Sequence, residues 1–225
     1  MRRGLGRLKD WPFISTTGAS GSIKAILDYL DRGTNIVMEF GRYGDNLAAY
    51  VLVANLITRR IYDQYRRRVE QAMGDRTKEP YHLIITIEEA HKFLSPQVAN
   101  QTIFGTIARE MRKYNVTLLV IDQRPSGIDE EVLSQIGTKM SLLLDNEKDI
   151  DAVLAGVSGR SELRSVLAKL ETKQQALIFG HAVPMPIVVR VKDYGSPESY
   201  AEYGFQDAVT LRAQAMEDRE DLFPS

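Results

Sequence analysis

The chain has 225 residues, 44% hydrophobic and 26% charged, with 29 basic against 30 acidic side chains and a net charge of −1. That length supports one sizeable domain with its own core, and the charge balance forecasts no global attraction to nucleic acid, although a local basic patch is compatible with it. The absence of cysteine excludes disulfides, zinc–thiolate sites and cysteine nucleophiles, and three scattered histidines (His82, His91 and His181) argue against a histidine metal site.

Residues 1–19 are basic and then rich in Gly, Ser and Thr, a leading segment rather than a unit of its own. They lack the apolar region of a signal peptide, and no apolar run reaches the ~18 residues of a membrane span, so the expected location is cytoplasmic. Residues 22–31 show helical spacing, with Gly33 placed to end the helix. Residues 35–40 read as a strand and 41–45 as a turn. A long helix is expected over 46–73. Its first half is almost wholly apolar and predicted to be buried. Its second half carries Arg59, Arg60, Arg66, Arg67 and Arg68, a solvated face. Residues 74–80 are a polar connector.

Residues 81–88 form an apolar run that ends in two adjacent acids, Glu88 and Glu89. A loop over 94–101 leads to a helix over 102–114, then to a second apolar strand over 116–121 that ends in Asp122 and Gln123 before Pro125 breaks the pattern. A short helix (130–136), a strand (139–144), two helical stretches (148–154 and 162–170) and a strand pair (175–180 and 187–191) complete a core over 20–192. Residues 193–225 form a tail in which 211–222 read as a polar helix or as loose chain.

Continuous apolar strands separated by helices predict an α/β fold, a mostly parallel sheet sandwiched by helices. Ligands of such sheets sit at the carboxyl ends of the strands, which puts Glu88, Glu89, Asp122 and Gln123 on one rim. A strand that delivers two acids to its tip suits nucleoside triphosphate hydrolysis: the first acid holds the water shell of Mg²⁺ and the second polarises the attacking water. The plainer reading is a core strand followed by acids at a helix start, where the helix dipole favours them. A metal-dependent hydrolase built on Glu88, Glu89 and His91 is a third reading. It is disfavoured because adjacent acids on a strand point to opposite faces and no second histidine is close in sequence.

Four segments in this order resemble the HerA-type branch of the HerA–FtsK ATPases. They are Ile87-Glu88-Glu89-Ala90-His91, residues 107–116 (IAREMRKYNV), residues 120–126 (VIDQRPS) and residues 132–136 (VLSQI); residues 176–186 also resemble the family's last core strands. The resemblance covers roughly residues 20–192 and implies a RecA-like P-loop NTPase-type core from a hexameric DNA translocase or helicase with ATP and Mg²⁺ as cofactors. It makes Glu88 the Walker-B acid on the metal, in a position where many relatives carry Asp. Glu89 becomes the carboxylate that orients water, and Gln123 the sensor of the γ-phosphate. Arg112 becomes the arginine finger given to a neighbouring subunit's ATP, with Arg109 a second candidate beside that nucleotide. A guanidinium suits that role because it is planar, always charged and bidentate toward phosphate oxygens. Read without the resemblance, Arg109 and Arg112 are ordinary charges on a helix face. The resemblance also implies contact with DNA phosphates without sequence preference, residues 94–101 being a candidate contact loop, and an effector such as a NurA-type nuclease.

The family's phosphate-binding run, G-x-x-x-x-G-K-[ST], does not occur in the chain. The nearest stretch, Gly18 to Lys24, lacks a Lys directly after its glycine and reads as a turn with Ser20 or Ser22 capping a helix. The family's N-terminal barrel is also absent. The expectation is therefore the C-terminal part of a RecA-like ATPase core that is inactive alone, whether as a piece of a longer protein or as a split subunit. The alternative is a non-catalytic, degenerate ATPase subunit that assembles with chains carrying the loop.

Overall fold

Residues 20–39, 46–99 and 102–192 are described by the computed structural model of the chain. They fall in two compact units, residues 20–38 in one and residues 39–192 in the other. The leading segment 1–19 and the polar stretch 211–222 lie outside the described residues.

In the first unit, helix α1 (Ser20–Asp31) ends as its sequence predicts. Gly33 takes φ +77°, its N–H donates to Leu30, and the Thr34 N–H donates to Tyr29. This paired closure needs a left-handed residue just past the helix, a conformation open to glycine at little cost. Of residues 35–40, expected as a strand, 35–39 carry no regular element and 40 lies outside the described residues; Val37 is 94% exposed. A β-strand exists only through its ladder partner, and none is found among the described residues.

The second unit starts with helix α2 (Leu47–Ala72). The Asn46 side chain accepts from the Ala49 N–H at 3.1 Å and so caps the helix start. Its first half is not buried all round: Leu47, Leu52 and Leu56 are exposed, while Ala49, Ala54, Thr58, Ile61, Tyr62 and Tyr65 form one buried stripe that runs into the basic half. Arg59, Arg60 and Arg67 face solvent as predicted, and Arg66 lies over the Tyr62 ring at 5.6 Å.

Strand β1 (Leu83–Glu88) is followed by a single helical turn, α3 (His91–Leu94). Then comes α4 (Phe104–Glu110), which tightens into a 3-10 turn (Met111–Tyr114) before strand β2 (Val116–Ile121). β1 and β2 pair in parallel from Leu83↔Val116 to Glu88↔Ile121. In-phase pairing puts Leu83, Ile85 and Ile87 on the same face as Val116, Leu118 and Val120, and that face is packed. The opposite face stays open among the described residues, with Ile84 59%, Leu119 47% and Ile121 46% exposed. The unbroken apolar runs predict cover on both faces, and only one has it here.

The rest of the unit comprises a 3-10 turn (Pro125–Gly127), α5 (Glu130–Gln135), β3 (Thr138–Ser141), α6 (Glu147–Val153), α7 (Arg160–Leu167), β4 (Gln175–Gly180) and β5 (Ile187–Arg190). β3, β4 and β5 form an antiparallel sheet in that order. The fold is thus mixed α/β, with parallel pairing confined, among the described residues, to β1 and β2. Ile150 and Leu154 from the α6 end, Leu163 and Leu167 from α7, and Leu177 and Phe179 from β4 close one apolar cluster.

Leu167 is fully buried in that cluster. Leu167→Ala should cost about 2–5 kcal/mol in urea unfolding, because the cavity it leaves adds to the lost transfer energy. Arg67→Ala, on the solvated face of α2, should stay within about 0.5 kcal/mol.

Candidate functional site

The parallel register decides where the acids go. Glu88 is level with Ile121, so Glu88 and Glu89 leave β1 on the rim where Asp122 and Gln123 leave β2. Glu89 then turns the chain: its φ of +51° lies in the left-handed region, which a non-glycine residue holds only when its surroundings impose it. The turn ends the strand's alternation, and the Ala90 N–H donates to the Ile121 carbonyl, tying the two tips together.

Asp122 organises the rim. Its side chain is 4% exposed. Oδ2 accepts from the His91 backbone N–H at 2.7 Å and lies 2.9 Å from His91 Nδ1, while Oδ1 accepts from the Arg124 N–H at 2.5 Å. A carboxylate accepts, so the His91 proton sits on Nδ1 and Nε2 faces Glu89 Oε2 at 3.8 Å. The Glu89 side chain is 48% exposed and is reached from behind by this fixed imidazole. Glu88 is exposed at the strand tip. Behind it, Tyr50 of α2 has its phenol pushed up, first by burial and then by the Glu88 carboxylate.

Gln123 is exposed at the head of a loop pinned at both ends. The Arg124 N–H is held by Asp122, and the Ser126 N–H donates to Asp149 Oδ1 at 3.0 Å, which fastens the loop to α6. The backbone of Arg109 falls in α4 and that of Arg112 in the following 3-10 turn, between the two strands of the rim. Their side chains lie outside the described residues. In the candidate DNA loop, residues 100–101 are also outside. Phe93, at its approach, is 3% exposed and packs against Tyr50 and Phe104 with ring centroids at 4.7 and 5.5 Å. It is a core residue and offers no stacking surface for bases.

The structure therefore brings Glu88, Glu89, Asp122 and Gln123 to one rim, gives Asp122 an organising role that the sequence reading did not, and sets His91, named there only for a disfavoured metal site, against Asp122. A local signal for Asp122 existed, since an Asp that accepts from the N–H two residues on is a standard turn device. The His91 contact, 31 residues away, had none. Among the described residues no group of three or more His, Asp or Glu forms a cage for a metal ion, the third reading's Glu88, Glu89 and His91 included. No described helix is long and apolar enough to cross a membrane.

The fold and the rim define the class of protein: a mixed α/β domain in which two parallel strands present acids and an amide at their shared carboxyl edge. No protein-family model matches the chain. It is 34% identical to the DNA double-strand break repair helicase HerA of Pyrococcus furiosus over 64% of this chain and 27% of that one. It is 33% identical to HerA of Sulfurisphaera tokodaii over 76% of this chain and 38% of that one. It is 37% identical to HerA of Saccharolobus solfataricus over 58% of this chain and 28% of that one. The chain is a homologue of the HerA helicases, and it spans between about a quarter and two fifths of the length of these curated relatives. Among solved structures it resembles the genome packaging NTPase B204 of Sulfolobus turreted icosahedral virus 2 in complex with AMP. The TM-score is 0.49 at 12% identity, over 74% of this chain and 72% of that one.

Replacing Asp122 by Ala strips the rim of its shared acceptor. Asp122→Ala should lose about 1–3 kcal/mol of stability, because the His91 and Arg124 N–H groups lose their partner. Imidazole nitrogen NMR should show the His91 proton leave Nδ1.

Proposed function

We propose that the chain supplies the acid, sensor and finger half of an ATP-hydrolysing DNA translocase or helicase, working in the cytoplasm as a ring, a hexamer when complete. The observation that carries this reading is the parallel β1–β2 register, which delivers Glu88, Glu89 and Gln123 to one rim in a chain homologous to HerA helicases. The donor set fits the cofactors. Mg²⁺ is ordinarily held by one or two carboxylates together with phosphates and water, not by an all-protein cage. Glu88 is exposed at a strand tip to serve as such a ligand. With ATP and Mg²⁺ bound, the metal neutralises charge on the phosphates. Glu89, backed by His91, would orient the attacking water, and Gln123 would contact the γ-phosphate from its pinned loop. Arg112, with Arg109 nearby, would reach the nucleotide of a neighbouring subunit.

The phosphate-binding loop is then supplied by another stretch of protein, since no G-x-x-x-x-G-K-[ST] run occurs in the chain. The open face of the β1–β2 pair and the outer edges of β2 and β3, unpaired among the described residues, support this half-site reading. Alone, the chain is proposed to be inactive. In the complete assembly it would contact DNA through phosphates, without sequence preference, and would act with an effector such as a NurA-type nuclease.

The test is a chimaera in which residues 46–192 replace the matching stretch of a complete HerA homologue, assayed for DNA-stimulated ATP hydrolysis. Glu89→Gln should lower turnover ~10²–10⁴-fold, as loss of a group that positions or activates water does. Arg112→Ala should lower it by ~10³-fold or more. Turnover untouched by Glu89→Gln would remove the catalytic assignment and leave the non-catalytic alternative.

A further inference from the structure

Lys139 occupies a buried position of β3 and is 8% exposed. Its ammonium donates to the Ala155 carbonyl at 2.6 Å. The charged neighbour that acts on it among the described residues is Arg160, also a cation. Burial first, and then the Arg160 guanidinium, push the lysine down to about 8. An ammonium out of water with one carbonyl and no counter-charge is a costly arrangement that a methionine of similar length avoids.

The space around it is open. Lys139 forms one wall of a cavity of about 350 Å³, near the lower end of the range for small-ligand sites. Ser134, Gly137, Gly156, Ser158 and His181 also line it, and no Asp or Glu does. The walls are backbone at close approach. Gly180 sits at φ +105°, where a Cβ would overlap the Gly137 carbonyl, and a Cβ on Gly156 (φ +75°) would come within 3.2 Å of the Ser134 backbone. The N–H groups of Gly156 and Ser158 donate to no described carbonyl.

We propose that this cavity binds a phosphate-type oxyanion, with the Lys139 ammonium as its counter-charge and the Gly156 and Ser158 N–H groups and Ser158 hydroxyl as further donors. The donor set favours that class. A compact ammonium beside backbone N–H groups matches a tetrahedral anion with acceptors on every side. The phosphate can belong to a small molecule or to a polynucleotide backbone. The site is built from β3, β4 and the turn after α6, shares no residue with the acidic rim, and does not depend on the ATPase reading.

The test is amide NMR on the 225-residue chain, titrated at pH 7 with inorganic phosphate in one arm and a short single-stranded deoxyoligonucleotide in the other. The Gly137, Gly156 and Ser158 amides should shift saturably. The shifts should vanish in Lys139→Met and in Ser158→Glu, which keeps the lysine but sets a carboxylate at an exposed position of the lining. A response to phosphate assigns the site to small ligands, and a response to the oligonucleotide alone assigns it to a polynucleotide. Binding should weaken as pH rises past about 8 and the ammonium empties. A second readout follows from linkage. Between pH 8 and 10.5 the unfolded chain holds more protons at this lysine than the folded one, so stability rises with pH across that window. Lys139→Met should lack this rise and bound phosphate should flatten it. No saturable shift up to about 10 mM phosphate and about 1 mM oligonucleotide, or shifts that persist in either folded variant, overturn the proposal.

Discussion

One carboxylate holds the rim together. Asp122 is almost fully removed from water, and its charge is met by N–H groups from both sides, those of His91 beyond β1 and Arg124 beyond β2. Hydrogen bonds to a charged acceptor are the stronger kind, and removing that acceptor leaves the donors unmet. The contact spans both strand tips, so it carries the register of the sheet into the loops. It fixes where Gln123 starts, and it fixes the proton and orientation of the imidazole that faces Glu89. The left-handed turn at Glu89 belongs to the same constraint: the chain must leave β1 sharply for the His91 N–H to reach Asp122.

How much of this could be read from sequence depends on the range of the interaction. β2 was legible to the residue because Val116 to Ile121 is an unbroken apolar run bounded by polar residues. The helix end at Gly33 was legible because its chemistry is local. Residues 35–39 have strand composition but no ladder partner among the described residues, and composition does not report partners. The first half of α2 is apolar almost all round, yet Leu52 and Leu56 face outward, since burial follows the neighbours a helix finds. Phe93 shows the same limit: sequence puts it beside a loop, and tertiary packing puts it in the core between Tyr50 and Phe104.

The acidic rim was legible because parallel α/β strands send their carboxyl ends to one side, so two apolar runs ending in polar residues already imply a shared edge. That no G-x-x-x-x-G-K-[ST] run occurs in the chain was equally plain from its sequence. Ile84, Leu119 and Ile121 line the uncovered face of β1 and β2, on strands whose composition suits burial on both sides. A two-stranded sheet is marginal by itself.

The buried charges of the second unit are not treated alike. Asp122 accepts from the N–H groups of two loops, and Asp149 takes the Ser126 N–H and so anchors the loop that carries Gln123 to α6. Both acids join segments distant in sequence, and their solvation in the fold comes from backbone donors around them. Lys139 is buried to a similar degree and joins little. One carbonyl meets it, a guanidinium lies near it, and the space beside it is open and free of acids. A fold that gives Asp122 three donors from two loops has the means to solvate a lysine, and neighbouring carbonyls or one acid would do so. The open wall beside Lys139 is where a compact anion would complete what the fold itself completes for Asp122.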